Sequence, residues 1–128
     1  MTKVCMTKDI GVHGNLFGGL MLSWIDEAAV AMSNRLCKTP NMVTRKMTEI
    51  LFERPVKVGH TINIYGEAVS MGMTSIALDL EARRYNVYTE KEDVVCTTTI
   101  VFVRIDEDGN KIPIAGEVRR RFSEKGAG

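Results

Sequence analysis

The chain divides into one block of helical periodicity and a series of blocks with a period of two. Across residues 17–36, apolar side chains stand at Phe17, Leu20, Met21, Leu22, Trp24, Ile25, Ala28, Ala29, Val30, Ala31, Met32 and Leu36. The spacing is helical, but the apolar arc is much wider than the stripe of an ordinary surface helix. Its polar remainder is thin: Ser23, Asp26, Glu27, Ser33, Asn34 and Arg35. Such a helix needs apolar cover on most sides, which puts it at the centre of the fold.

Beyond Pro40 the texture is that of strands. Ile76, Leu78, Leu80 and Ala82 alternate with Ser75, Asp79, Glu81 and Arg83, the pattern of a strand with one buried face. Residues 61–69 behave likewise, with Ile62, Ile64 and Ala68 on one side. Residues 42–53 are extended but mixed in parity, which predicts a bulge or a change of buried face. In residues 94–104, Val95, Thr97, Thr99, Val101 and Val103 share one parity and Cys96, Ile100 and Phe102 the other. Both faces are therefore expected to be covered, one by the helix and one by another subunit. Residues 106–111 have turn chemistry, and Pro113 ends any central strand. A short first strand at residues 3–6 completes the set. The expected architecture is a single α+β domain over residues 1–128, an antiparallel sheet curled around one long helix, with self-association starting from a two-fold dimer. Residues 115–128 form a basic tail or short helix.

Composition narrows the class. At 128 residues, folding removes roughly 65–70% of the unfolded surface, so one core forms without metals or disulfides. Seventeen Lys+Arg against sixteen Asp+Glu leave a charge of +1, which argues against a nucleic-acid binder with a broad basic face. Cys5, Cys37 and Cys96 include no Cys-x-x-Cys pair and read as reduced thiols of a cytoplasmic chain, with no metal site expected. The first ten residues hold no apolar run, so no signal peptide is expected, and the longest apolar stretch, residues 28–32, is far too short to span a bilayer.

One segment carries candidate chemistry. Gly11-Val12-His13-Gly14-Asn15-Leu16-Phe17-Gly18-Gly19 runs straight into the helix, offering bare backbone N–H groups where the helix dipole is positive. A P-loop would need Lys and Ser/Thr where Leu20 and Met21 stand, and the spacing and preceding strand of a dinucleotide fingerprint are missing. Two readings remain. The amides near Gly18 and Gly19 face a developing oxyanion, or the glycines only let the helix pack closely on the sheet. Asp26 has Leu22, Ser23, Ala29 and Val30 as helical neighbours, and a carboxylate beside apolar surface is costly unless hydrogen-bonded or put to use. A general base and a satisfied structural carboxylate both fit. Glu27 points about 100° away around the helix. His13 and His60 lack metal-ligand company, and Cys37 has no nearby His to activate it. The run Arg119-Arg120-Arg121 is either a solvated helix end or an anion clamp for a phosphorylated ligand.

Taken in order, Gly14-Asn15-Leu16-Phe17-Gly18-Gly19, Ser23-Trp24-Ile25-Asp26-Glu27, Phe52-Glu53-Arg54-Pro55-Val56-Lys57-Val58-Gly59 and Met73-Thr74-Ser75 resemble the hotdog-fold acyl-CoA thioesterases. The nearest branch is that of the small bacterial acyl-CoA hydrolases and the brain-type acyl-CoA hydrolase. The resemblance spans residues 8–121, and its specificity lies in the combination of four motifs. It implies a long helix wrapped by a five-stranded antiparallel sheet, and dimers whose sheets join and assemble further into trimers of dimers. It also implies hydrolysis of acyl-CoA to a free acid and CoA, with no metal and no cofactor beyond the coenzyme A of the substrate.

Residue by residue, Asn15 stands at a loop position that is Asp in many small bacterial members. An amide cannot take a proton near neutral pH, so the resemblance gives the base role to Asp26, which matches the family's helix carboxylate. Asp26 lies about 13 Å along the helix from Phe17, at 1.5 Å per residue. One carbonyl therefore cannot touch both the loop and Asp26 of a single chain, whereas two protomers related by a two-fold can supply one each. The implied roles are polarisation of the thioester carbonyl by the N–H of Gly19 and of Gly18, and placement of the carbonyl or the attacking water by Asn15. Asp26 of a second protomer then removes the water's proton, or attacks directly. Thr44, Arg45 and Lys46, and Met73, Thr74 and Ser75, resemble CoA-contacting strands. Arg54 and the cluster Arg119, Arg120 and Arg121 are candidates for the CoA phosphates, although Arg54 can equally brace a turn. Two rivals share the fold. An acyl-CoA sensor or store would not need both Asn15 and Asp26, and a hydroxyacyl dehydratase would want a His beside a carboxylate.

Overall fold

A computed structural model of the chain describes residues 1–127, so the last residue of the expected domain, Gly128, lies outside the described residues. Five strands, β1 (Thr2–Val4), β2 (Met42–Phe52), β3 (Thr61–Met71), β4 (Ser75–Tyr85) and β5 (Glu92–Arg104), pair antiparallel in the order β1-β3-β4-β5-β2. Helix α1 (Gly18–Cys37) packs against β2, β3, β4 and β5, and α2 (Gly116–Ala127) follows the last strand.

The period-two pattern of β4 translates directly into burial. Ile76, Leu78, Leu80 and Ala82 are each at most 2% exposed and form the floor beneath α1. On β3, Ile62 and Ile64 are buried beside them. The next helix-side position is Gly66, where an added Cβ would stand 2.8 Å from Met32 and from Leu80. The bare backbone there is what lets α1 lie close on the sheet. Cys96, Thr98, Ile100 and Phe102 of β5 are buried on the same side, whereas Thr97, Thr99 and Val101 on the outer face are half-buried.

The mixed parity of β2 resolves into two breaks of register against β5, between Thr44 and Lys46 and between Thr48 and Leu51, with Glu49 at φ 52°. β2 is also an edge strand, and its Val43, Ile50, Leu51 and Phe52 are exposed. A long edge with apolar side chains and unpaired backbone groups favours pairing with another strand. Helix α1 is less enclosed than its composition predicts. Met21, Trp24, Ile25, Ala29 and Cys37 are buried, but Leu20, Leu22, Ala28 and Val30 are half-buried and Ala31 and Leu36 are exposed. One chain's sheet curls over one side of the helix, and the rest of the wide apolar arc stays open in a single protomer.

Candidate active site

The glycine-rich loop is folded back on itself before it reaches α1. Ile10 and Leu16 pair as an isolated antiparallel bridge, the Gly11 N–H donates to the Asn15 carbonyl at 2.8 Å, and the Gly14 N–H donates to the Gly11 carbonyl at 3.1 Å. Gly14 takes φ 74°, a left-handed conformation that a side chain would strain. The loop is held from two sides. Its Leu16 N–H donates to the Val56 carbonyl at 2.7 Å, and its Phe17 N–H to the Asp9 carbonyl at 3.1 Å. At the start of α1, the amides of Leu20 and Met21 bond back to the Phe17 carbonyl. Those of Gly18 and Gly19 are the first two of the helix and have no intrahelical acceptor. Gly18 and Asn15 line a cleft of about 350 Å³ together with Phe52, Arg54, Val56 and Val95. The exposed ring of Phe52 lines the cleft over Gly18, whereas Gly19, covered by the exposed ring of Phe17, is not among its lining residues.

The side chain of Asn15 has a partner that sequence reasoning missed. Lys57 Nζ donates to Asn15 Oδ1 at 3.0 Å, across 42 positions of chain. Asp26 does not line this cleft. It sits in the middle of α1, half-buried, where the Thr44 hydroxyl of β2 donates to its Oδ1 at 2.8 Å. Thr44, expected on a CoA-contacting strand, is thus the residue that fixes one oxygen of the candidate base. Its neighbours Arg45 and Lys46 are exposed at the first register break of β2.

The remaining candidates fall into two places. Arg54 lines the cleft, and its Nη1 also donates to the Val94 carbonyl at 2.7 Å, so it braces the end of β2 against β5. Met73 and Thr74 form the tip between β3 and β4, closed by a hydrogen bond from the Gly72 N–H to the Ser75 carbonyl. Met73 shares a separate depression of about 380 Å³ with Arg119 and Phe122 of α2. Within the arginine cluster, Arg119 Nε donates to the Ile114 carbonyl and Arg121 pairs with Glu117 at 3.8 Å. Arg120 is exposed and has no ion-pair partner among the described residues. The hydrogen bond from Lys38, and then the charges of Lys38 and Arg121, hold the Glu117 carboxyl below its usual range.

The sequence profile of the Thioesterase superfamily matches residues 13–96, from the glycine-rich loop into β5. The chain belongs to this superfamily. An uncharacterised acyl-CoA thioester hydrolase of Zymomonas mobilis is 31% identical over 121 residues, which cover 91% of this chain and 78% of that one. The acyl-CoA thioester hydrolase YciA of Salmonella typhimurium is 26% identical over 117 residues, covering 89% and 87%. Among solved structures, a hexameric hotdog-fold thioesterase of Campylobacter jejuni matches with a TM-score of 0.84 at 31% identity, over 96% of this chain and 94% of that one. The helix lying on a five-stranded antiparallel sheet is accordingly the hotdog fold.

Other groups are poor candidates for superfamily chemistry. Burial raises the thiols of Cys5 and Cys37 above their ordinary value and pushes Cys96 up to about 11, the opposite of what a nucleophilic thiolate needs. Among the described residues, no group of three or more His, Cys, Asp or Glu stands in a metal-holding arrangement. A broader depression of about 520 Å³ on the outer face of the sheet is lined by Glu67, Asp79 and Glu81 as well as Arg83, a surplus of carboxylates that repels a polyphosphate.

Proposed function

We propose that this chain hydrolyses acyl-CoA thioesters to a free carboxylic acid and coenzyme A, at a site completed by two protomers. One observation carries the reading. The unengaged N–H of Gly18 opens onto the same cleft as Asn15, while Asp26 stands farther along α1, tied to the open edge strand β2. A second copy pairing along that edge is the simplest way to bring an Asp26 to the cleft. The hexameric state of the Campylobacter relative supports a dimer of this kind, assembled as a trimer of dimers.

In the proposed reaction the carbonyl oxygen of the thioester accepts from the N–H groups of Gly18 and Gly19, and Asn15 fixes the reacting group in place. Asp26 of the second protomer takes a proton from water as the water oxygen bonds to the carbonyl carbon. The resulting oxyanion is stabilised by amides that were already oriented, so little reorganisation is needed. The carbon–sulfur bond then breaks, the thiolate of CoA leaves with the bonding electrons, and the proton held by Asp26 returns to it. These steps use protein groups alone, and coenzyme A enters as part of the substrate. Arg45, Lys46, Arg54, Met73, Thr74, Ser75 and Arg119 to Arg121 are the candidates to receive its nucleotide and phosphates, with Thr44 beside them. Three free, buried cysteines support a reducing, cytoplasmic setting, and no helix among the described residues is long and apolar enough to cross a membrane.

The test is release of free thiol from a panel of acyl-CoAs. Asp26→Asn is expected to lower kcat by about 10²- to 10⁴-fold, the usual contribution of a general base. Turnover of that variant at the wild-type rate would remove the proposed base.

A further inference from the structure

The pairing of Lys57 with Asn15 settles which way the amide of Asn15 faces. An asparagine offers one acceptor oxygen and one NH₂ donor, whereas a lysine ammonium offers three donors and no acceptor. With Lys57 Nζ at 3.0 Å, only Oδ1 of Asn15 can face the ammonium, and Nδ2 is turned away from it. The backbones beneath both side chains are tied down. Leu16 and Val56, the chain neighbours of the two residues, are joined by the 2.7 Å bond between the loop and the connection from β2 to β3. The Lys57 N–H donates to His60 Nδ1 at 2.9 Å, and the His60 N–H returns to the Lys57 carbonyl at 3.1 Å. Asn15 lines the cleft and Lys57 does not, so the ammonium acts from behind the amide.

We infer that Lys57 is a positioning residue for the hydrolysis: it holds Asn15 with Nδ2 presented to the cleft, as a further donor for the thioester carbonyl oxygen beside Gly18 and Gly19. This rests on the function proposed above and narrows the role of Asn15 to placing the carbonyl and not the attacking water. The cation also draws electron density from Oδ1 and so strengthens the Nδ2–H donors that face the carbonyl oxygen. This effect grows as negative charge builds on the carbonyl oxygen, so it raises kcat more than it lowers KM.

The experiment is a set of substitutions at Lys57, each made in the wild-type and in the Asn15→Ala background, with kcat and KM measured separately by thiol release. Lys57→Met is expected to lower kcat about tenfold with KM little changed, since a donor left free to rotate is lost for part of the time. Lys57→Arg, also a donor-only group, is expected to keep most of the rate. Lys57→Glu is expected to be the worst of the three, because a carboxylate accepts from Nδ2 and turns Oδ1 toward the carbonyl oxygen. In the Asn15→Ala background all three are expected to sit within about twofold of one another, the non-additivity of residues acting through one group. Equal losses in both backgrounds, a change confined to KM, or Lys57→Met at the wild-type kcat would each overturn the inference. Asn15→Ala with the wild-type kcat is a separate failure, and it would overturn the role of Asn15 itself. Thermal melting of each variant separates a loss of positioning from a loss of fold.

Discussion

Strands β4 and β2 are each eleven residues long, and they differ in almost everything else. β4 is bonded on both flanks, and all four of its helix-side residues from Ile76 to Ala82 are buried. β2 is bonded on one flank, breaks register twice, and exposes nearly all of its side chains. The strand that is paired on both flanks is free to be purely apolar on its inner face, and it holds the fold. The edge strand keeps its free backbone groups and two register breaks, and it carries Thr44 to Asp26. Under the proposed function, stability and chemistry are separated across one sheet, about two strands apart.

Substitutions can break that separation or sharpen it. The largest effect belongs to Asp26→Asn, expected to remove most of kcat while melting as the wild type does, because the carboxylate is half-exposed and its amide replacement still accepts from Thr44. Next is Leu78→Ala on β4, fully buried in the wild type, which should cost about 2–5 kcal/mol in urea unfolding and leave the kcat of the remaining folded protein unchanged. Thr44→Val keeps the shape of the strand but removes the hydroxyl that holds Asp26. A loss of about fivefold in kcat, near 1 kcal/mol, is expected, with an unaltered melting temperature.

Much of the fold was legible because burial follows the period of each element. The alternation at Ile76, Leu78, Leu80 and Ala82 fixed the face of β4, and the broken alternation of residues 42–53 announced the bulges of β2. The open side of α1 was not legible from one chain, since the wide apolar arc reflects cover that a single protomer does not supply. At the site, the glycine run located the helix start and Asp26 stood out by its apolar neighbours. The two hydrogen bonds that orient them, from Lys57 to Asn15 and from Thr44 to Asp26, join residues 42 and 18 positions apart. No local pattern encodes such pairs. A lysine in a turn and a threonine in a strand are ordinary residues until the fold brings their partners to them. The only prior signal for either was membership in a motif, Lys57 beside Arg54 and Thr44 beside Arg45.

The smallest expected effect lies beside the site, at His60. Burial, then the charges of Arg84 and Lys57, lower its pKa below the ordinary 6.5. The unfolded chain thus takes up the proton before the folded one does. The contribution of this group to stability is complete above about pH 6.5 and is lost as the pH falls through the folded value. Urea midpoints measured between pH 7 and pH 5 should fall for the wild type and fall less for His60→Gln.

Whether one subunit supplies the base to the other's amide-lined cleft is tested most directly by mixing Asp26→Asn with Asn15→Ala, each strongly impaired alone, under conditions where subunits exchange. In a mixed dimer one of the two sites regains an intact Asn15 and an intact Asp26, so random exchange should restore about a quarter of wild-type turnover. No recovery after exchange has been verified by mass would contradict a site shared between chains.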